Sequence, residues 1–184
     1  YIHYNFLDNL NLSTYYNMLQ SGQPVLSEET KTPYREYIER ENNWLNTDQG
    51  KQKLDNWLKK YNNPTELLNL PFDRQKTIRT TPAGNQQIIK IDHLLTERIK
   101  DFAHKNSITP FLFLFTCYAV LLHRLSSQDK IIISVPFPNR NRESDKSVIS
   151  CYVNNLPITI DFSGIQDFKQ LTDQIRKEFL FVHR

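Results

Sequence analysis

The chain has 184 residues, enough for one domain or two small lobes. Its four glycines lie far apart, so no glycine-rich phosphate loop or dinucleotide-binding turn can form. Two cysteines cannot supply a four-thiolate zinc site or a dense disulfide framework. The 23 Lys and Arg residues are interleaved with 20 Asp and Glu residues, which gives a net charge of +3. This mixed distribution indicates a solvated surface and not a nucleic-acid footprint, which would concentrate positive charge on one face.

The first half of the chain is predicted to form short elements joined by polar, proline-containing connections. We expect the end of a strand at 1–7, a short helix at 10–20, and two helices over 34–61 that break near Gly50. Residues 62–84 have little periodicity and are interpreted as a linker between two parts of the structure. The side chains expected to form the buried stripes of the two helices are Trp44, Leu45, Leu54, Trp57 and Leu58.

The second half of the chain has a regular pattern in which strands alternate with helices, as in a layered α/β domain. Thr109 followed by Pro110 marks a helix start, since a hydroxyl cap and a first-turn proline both favour it. The predicted elements are a strand at 86–91, a helix at 93–105, a buried helix from 109 to about 125, a strand covered on both faces at 131–135, one long strand or a strand pair at 148–161, and a helix at 166–182.

The cysteines and histidines point to no metal chemistry. Cys117 and Cys151 lie in apolar stretches and are interpreted as buried free thiols in a reducing compartment, here the cytoplasm. No pair of the five histidines has the spacing of a metal site on a helix, so no metal is expected. The longest apolar run, 110–122, is too short to cross a bilayer, and no membrane partner is expected.

A series of separate segments carries more information than any one of them. They are 34–37 (Tyr-Arg-Glu-Tyr), 54–57 (Leu-Asp-Asn-Trp), 70–74 (Leu-Pro-Phe-Asp-Arg), 107–125 (ending in His-Arg-Leu), 128–142 (from Gln-Asp to Asn-Arg-Asn-Arg) and 148–157 (including Tyr-Val-Asn-Asn-Leu-Pro). In order and spacing, across almost the whole chain, this series resembles the condensation domain of nonribosomal peptide synthetases.

The resemblance implies a two-lobed, layered α/β fold like that of chloramphenicol acetyltransferase. In this fold residues 1–74 would hold the end of the first lobe and the crossover, and 75–184 most of the second lobe. It also implies amide-bond formation between a carrier-bound acyl or peptidyl thioester and a carrier-bound aminoacyl amine. The implied partners are peptidyl carrier domains bearing phosphopantetheine and an adenylation domain of the same chain. Because position 1 is Tyr and not Met, we expect the chain to be a piece of a longer protein or a processed product.

The catalytic motif of the family, His-His-x-x-x-Asp-Gly, aligns with His3, Tyr4, Asp8 and Asn9. In this alignment Tyr4 takes the place of the second His, the one implicated in catalysis. Adjacent residues of a strand point to opposite faces, so His3 could occupy that place only through a one-residue bulge. The unperturbed pKa is about 10 for tyrosine and about 6.5 for histidine, so Tyr4 is a donor at neutral pH and not a base. Tyr4 could still orient an amine or stabilise an oxyanion, and we expect reduced activity.

Two further residues receive roles from the resemblance. Asp8 is expected to be structural and to pair with an arginine, either Arg140 or Arg142. Asn154 matches the asparagine of a segment near the channel between the lobes, or it is a strand-end amide that satisfies backbone groups. We therefore consider two functions: a condensation enzyme with an altered motif, with His3, Tyr4, Asp8 and Asn154 at its site, and a degenerate domain that binds carriers or another partner.

Overall fold

The computed structural model describes residues 16–23, 34–62, 66–73, 85–140, 142–146 and 150–183. The strand end predicted at 1–7 lies outside these residues, and residues 16–20 are helical, as the predicted helix at 10–20 requires. The elements are α1 (Tyr34–Leu45), α2 (Asp48–Tyr61), α3 (His93–Lys105), α4 (Pro110–Ser126), β1 (Lys130–Pro138), α5 (Glu143–Lys146), β2 (Val153–Asp161) and α6 (Phe168–His183).

The chain divides into two compact units. Unit 1 comprises Tyr1–Pro64 and Pro136–Asn155, and unit 2 comprises Thr65–Val135 and Leu156–Arg184. The chain passes from one unit to the other within β1 and again within β2.

In unit 1, α1 and α2 form a helical hairpin with a tight turn. The Thr47 hydroxyl donates to the Trp44 carbonyl oxygen at 2.6 Å and accepts from the Gly50 amide at 3.1 Å, so it caps α2. The break between the helices thus lies at residues 46–47, slightly earlier than the break predicted near Gly50, and Gly50 stands inside α2. Capping by Thr47, and not the flexibility of glycine, begins the second helix.

The hydrophobic stripes predicted for α1 and α2 are mostly exposed. Among the described elements α2 packs against α1, which covers one side of a helix and leaves the other open. The residues of these stripes that are exposed are Trp44, Leu45, Leu54 and Leu58, while Trp57 is half-buried.

The two strands pair with each other in a two-stranded sheet. The Phe162 amide, just after β2, donates to the Asp129 carbonyl, just before β1, at 2.7 Å, so the strands are antiparallel. Of the predicted strand at 131–135, Ile131 alone is buried, because a sheet of two described strands cannot cover both faces of β1. Residues 85–92, predicted in part as a strand, have no regular structure and pair with no strand of the described part of the chain.

Unit 2 contains the helices whose bounds the sequence predicts best. Helix α3 coincides with the predicted 93–105, and its N-cap Asp92 accepts from the Leu95 amide at 2.8 Å. Helix α4 begins at Pro110, and its N-cap Thr109 accepts from the Leu112 amide at 3.1 Å. The helix start predicted at Thr109 and Pro110 is confirmed, because caps depend on residues within one turn of each other.

The core of unit 2 forms where α4 packs against α3 and α6. Edge-to-face and tilted phenylalanine pairs join these helices, among them Phe102–Phe113 at 5.2 Å and Phe115–Phe179 at 5.0 Å between ring centroids. The fully buried aliphatic residues of this unit include Ile131, Ile158, Ile160 and Ile175.

Helix α4 is not buried on all sides, contrary to the prediction from its composition. Helices α3 and α6 cover one face, and the opposite face stays open within the described residues. The exposed apolar residues of that face are Leu114, Tyr118, Leu121 and Leu125, while the exposed Phe111 contacts Phe179 of α6.

Gln128 anchors the extended segment 66–70 within unit 2. Its side-chain oxygen accepts from the Asn69 amide at 2.8 Å, and its side-chain nitrogen donates to the Leu67 carbonyl at 3.2 Å. The Gln128 side-chain amide thus accepts from a backbone amide and donates to a backbone carbonyl, the same pair of hydrogen bonds that the backbone of a neighbouring strand would make. The anchored segment leads directly into the Leu-Pro-Phe-Asp part of the crossover.

Both cysteines are exposed free thiols, which corrects the prediction that they are buried. Partial desolvation on α4 still raises the pKa of the Cys117 thiol, and the thiol is therefore a poor nucleophile at neutral pH. No single helix of the described residues is long and apolar enough to span a membrane, and α3 with α4 reaches that length and composition only as a pair bent by 102°.

Candidate functional site

Helix α1 presents one side to the connection between β1 and β2. Tyr34, Tyr37 and Arg40 follow one another at three-residue spacing, which places them along the same side of a helix. Tyr34 and Tyr37 belong to the Tyr-Arg-Glu-Tyr segment, and the residues that they meet belong to the 128–142 and 148–157 segments. Three of the segments singled out in the sequence therefore meet in unit 1.

A cluster of three tyrosines forms the core of this site. The Tyr152 ring lies edge-on to the rings of Tyr37 and Tyr34, at 4.7 Å and 5.2 Å between centroids, and the last two rings stack at 5.5 Å. The Tyr34 hydroxyl donates to the Cys151 carbonyl at 3.2 Å. These contacts fix the backbone that enters β2.

The Tyr37 hydroxyl accepts a hydrogen bond from the Asn139 side-chain amide at 2.6 Å. Burial raises the pKa of Tyr37, and the nearby Glu41 carboxylate raises it further. Tyr37 is thus a neutral phenol at physiological pH, and it contributes a hydrogen bond to the site but no charge.

Arg40 and Asp145 form an ion pair between α1 and the short helix α5. Nη2 of Arg40 donates to both carboxylate oxygens of Asp145, at 3.1 Å and 2.9 Å. The Asp145 side chain is 1% exposed, and that of Arg40 is 23% exposed. A charge buried to this degree requires a partner, since an unpaired buried carboxylate would be strongly destabilising.

Arg140 packs on the tyrosine cluster from the other side. Its guanidinium lies 4.8 Å from the centroid of the Tyr152 ring, and its Nη2 donates to the Ser150 carbonyl at 2.8 Å. The Tyr152 hydroxyl is buried and has no hydrogen-bond partner among the described residues. Desolvation raises the pKa of Tyr152, with a further contribution from the Asp145 carboxylate, so this hydroxyl keeps its proton.

Of the four predicted site residues, the structure describes Asn154. It lies near the start of β2, two residues beyond Tyr152, and its side chain is exposed and bonds to no described residue. His3, Tyr4 and Asp8 lie outside the described residues, so their roles stay predictions. The pairing of Asp8 with Arg140 or Arg142 likewise stays a prediction.

Sequence reasoning missed Arg40 and Asp145. The position of Arg40 three residues after Tyr37 was an available signal, because it places the guanidinium on the side of α1 that carries the tyrosines. Asp145 gave no such signal, since it stands in a run of polar residues that is typical of solvent exposure. Within the described ranges, no group of three or more His, Cys, Asp and Glu side chains could hold a metal ion.

The fold is that of condensation domains. The X-domain from teicoplanin biosynthesis superposes with a TM-score of 0.81 at 14% identity, over 97% of this chain and 43% of that one. The first condensation domain of the CDA synthetase superposes with a TM-score of 0.66 at 15% identity, over 91% of this chain and 36% of that one. The chain thus carries part of a mixed α/β, chloramphenicol acetyltransferase-like fold.

The family model for the condensation domain matches residues 10–184, and the chain belongs to this family. Similar curated proteins are malpinin synthetase of Mortierella alpina, 28% identical over 169 residues, and bacitracin synthase 1 of Bacillus licheniformis, 26% identical over 147 residues. The alignments cover 92% and 80% of this chain but 2% and 3% of the two synthetases, respectively. The resemblance drawn from the motif series is confirmed.

Proposed function

We propose that the chain is part of a condensation domain that joins a carrier-bound acyl or peptidyl thioester to a carrier-bound aminoacyl amine. The observation that carries this proposal is the family match over 10–184. The packing of three motif segments around Tyr37 and Tyr152 supports it, because segments that are far apart in the sequence contact one another in the folded chain. The proposed partners are peptidyl carrier domains bearing phosphopantetheine and an adenylation domain of the same chain, in the cytoplasm.

The proposed reaction is a nucleophilic substitution at the thioester carbonyl. The lone pair of the acceptor amine attacks the carbonyl carbon, a C–N bond forms, and the C–S bond breaks. The ammonium proton is lost and the leaving sulfur ends as the free thiol of the donor phosphopantetheine, so that thioester and amine become amide and thiol. The chain would have to orient the amine and stabilise the tetrahedral oxyanion.

Tyr4 is proposed to act in this step as a hydrogen-bond donor, and Asp8 as a structural partner of an arginine. A phenol cannot replace the base function of a histidine near neutral pH, and a positioned general base typically contributes about 10²–10⁴-fold. We propose that turnover is reduced for this reason. In this proposal residues 1–74 hold the end of the first lobe and the crossover, and residues 75–184 hold most of the second lobe.

The test is a reconstituted condensation assay on the full domain with loaded donor and acceptor carrier proteins. We expect amide product, and its loss by about tenfold or more in Tyr4→Phe, because the phenol hydroxyl supplies a hydrogen bond to the reacting groups. Tyr16→Phe removes an exposed hydroxyl to which the proposal gives no role and should leave turnover unchanged. Absence of product with every donor tried would contradict the enzyme proposal.

A second candidate is a domain of the same fold that binds carriers or another protein without catalysis. The replacement of the second motif His by Tyr4 and of the motif Gly by Asn9 favours it. In that case carrier proteins should bind with measurable affinity while no amide forms, and Tyr4→His should create activity. If Tyr4→His lowers an existing activity, the degenerate candidate is excluded.

A further inference from the structure

We propose that the Arg40–Asp145 ion pair is a positioning pair that holds the start of β2, and with it Asn154, in one geometry for condensation. The inference rests on the proposed function for its catalytic part. Its structural part depends on unit 1 alone, because Arg40, Asp145 and Asn154 all belong to that unit.

The ion pair lies along the chain between two hydrogen bonds that join α1 to the connection from β1 to β2. Asn139 at the beginning of the connection donates to the Tyr37 hydroxyl at 2.6 Å, and the Cys151 carbonyl at its end accepts from Tyr34 at 3.2 Å. Asp145 lies between these two points along the chain. A single side of α1 therefore holds the connection at its beginning, middle and end.

The connection is also closed on itself. Arg140 donates to the Ser150 carbonyl, ten residues further along the chain, and its guanidinium lies over the Tyr152 ring. The described beginning and end of the connection are therefore joined to each other as well as to α1. Because Asn154 follows Tyr152 by two residues, the ion pair is coupled through the tyrosine cluster to the exposed amide of Asn154.

The chemistry of the pair favours positioning over net stabilisation. Desolvating two charges offsets most of the attraction between them, so a buried ion pair contributes little net stability compared with apolar residues. What the pair does supply is a directional, charge-assisted contact that one arrangement satisfies. Arg35 and Glu39 offer a matched contrast on the same helix, since their ion pair of 3.0 Å is 87% and 58% exposed.

The test compares Asp145→Asn, Arg40→Met, the double variant Arg40→Met with Asp145→Asn, Tyr37→Phe, and the control Arg35→Gln, each in the full-length protein. Hydrogen–deuterium exchange is followed on peptides that cover 150–155 and, as an internal reference, α6. Thermal unfolding is measured on the same samples. Asp145→Asn keeps the shape of the side chain, and Tyr37→Phe releases the Asn139 contact without touching the ion pair.

We expect exchange at 150–155 to rise about tenfold or more in Asp145→Asn, because charge-assisted hydrogen bonds are lost. We expect a smaller rise in Tyr37→Phe and none in Arg35→Gln, with α6 unchanged throughout. The double variant should recover thermal stability relative to Arg40→Met alone, since no unpaired charge stays buried, yet exchange should stay fast. Unchanged exchange in Asp145→Asn, or an equal rise in Arg35→Gln, would overturn the proposal.

The condensation assay tests the catalytic part separately. We expect kcat to fall about tenfold in the double variant with KM for the acceptor carrier unchanged, as for a lost positioning contact. A rise in KM with unchanged kcat, or full activity despite fast exchange, would overturn the positioning role. If the wild-type protein forms no amide, the proposed function fails, and the exchange data still decide whether the ion pair holds β2. Should Asp145→Asn fail to fold, Tyr37→Phe and the double variant decide the outcome.

Discussion

The Tyr152 hydroxyl is a donor and acceptor that is buried without a hydrogen-bond partner in the described part of the chain. The residue is 4% exposed, so the hydroxyl is desolvated with no compensating contact from those residues. Its neighbour Tyr37 is also buried but has a satisfied hydroxyl, which accepts from Asn139. The two tyrosines thus differ in the one property that decides what loss of a hydroxyl does to stability.

Tyr152→Phe is predicted to leave the free energy of unfolding unchanged or to raise it by up to about 1 kcal/mol, because it removes an unsatisfied polar group. Tyr37→Phe should lower it by about 1 kcal/mol, because the Asn139 amide loses its acceptor. Urea unfolding of both variants, followed by circular dichroism, gives the comparison. Equal losses in the two variants would mean that the Tyr152 hydroxyl is bonded in solution.

The turn between α1 and α2 requires a glycine at position 50, because there is no room for a side chain there. A Cβ at Gly50 would overlap the Trp44 carbonyl oxygen and stand 2.8 Å from the Leu45 Cα, both backbone atoms that cannot move aside. Gly164 differs, since it has a φ of +74° and open space around the position of a Cβ. The first glycine is required by close approach and the second by backbone conformation.

Gly50→Ala is predicted to lower the free energy of unfolding by about 2–3 kcal/mol, although the same change in an open helix raises it. The reason is that the hairpin must open to admit a methyl group. Gly164→Ala should cost about 1 kcal/mol, from the left-handed backbone alone. Thermal or urea unfolding measures both, and a stabilising Gly50→Ala would show that the turn is looser than the close approach indicates.

For the molecule as a whole, two buried phenols of unit 1 contribute to the loss of stability at high pH. Burial raises the pKa of both Tyr37 and Tyr152. In the unfolded chain tyrosines ionise near pKa ~10, so between that value and the raised values the unfolded state has lost protons that the folded state still holds. The stabilisation linked to these phenols is complete below about pH 10 and is lost as pH rises through their folded pKa values.

The free energy of unfolding is therefore predicted to be insensitive to these tyrosines below about pH 10 and to fall above it. In the double variant Tyr37→Phe with Tyr152→Phe the alkaline fall should be shallower, whereas Tyr16→Phe, at an exposed position, should not change it. Urea titrations at a series of pH values measure the slope. An identical alkaline slope in the double variant and the wild type would contradict the prediction.

Local signals in the sequence were enough for the family and for the helices of unit 2. The order of the motif segments identified the condensation domain, and Thr109 with Pro110 marked where α4 begins. Capping and helical periodicity involve residues a few positions apart, so the sequence carries them directly. The prediction of a strand at 86–91 was wrong. An alternating pattern favours a strand but does not provide the neighbouring strand that it needs, and no described strand pairs with these residues.

Burial and pairing were decided by the tertiary structure. Arg40 and Asp145 are 105 residues apart, and Tyr37 and Asn139 are 102 apart, so no local pattern announces either contact. The same cause explains the exposed faces of α2 and α4, since their apolar composition cannot specify which neighbours cover them. A side chain's surroundings depend on atoms that folding brings from distant parts of the chain. For this reason the charged Asp145 is buried and the apolar Leu58 is exposed.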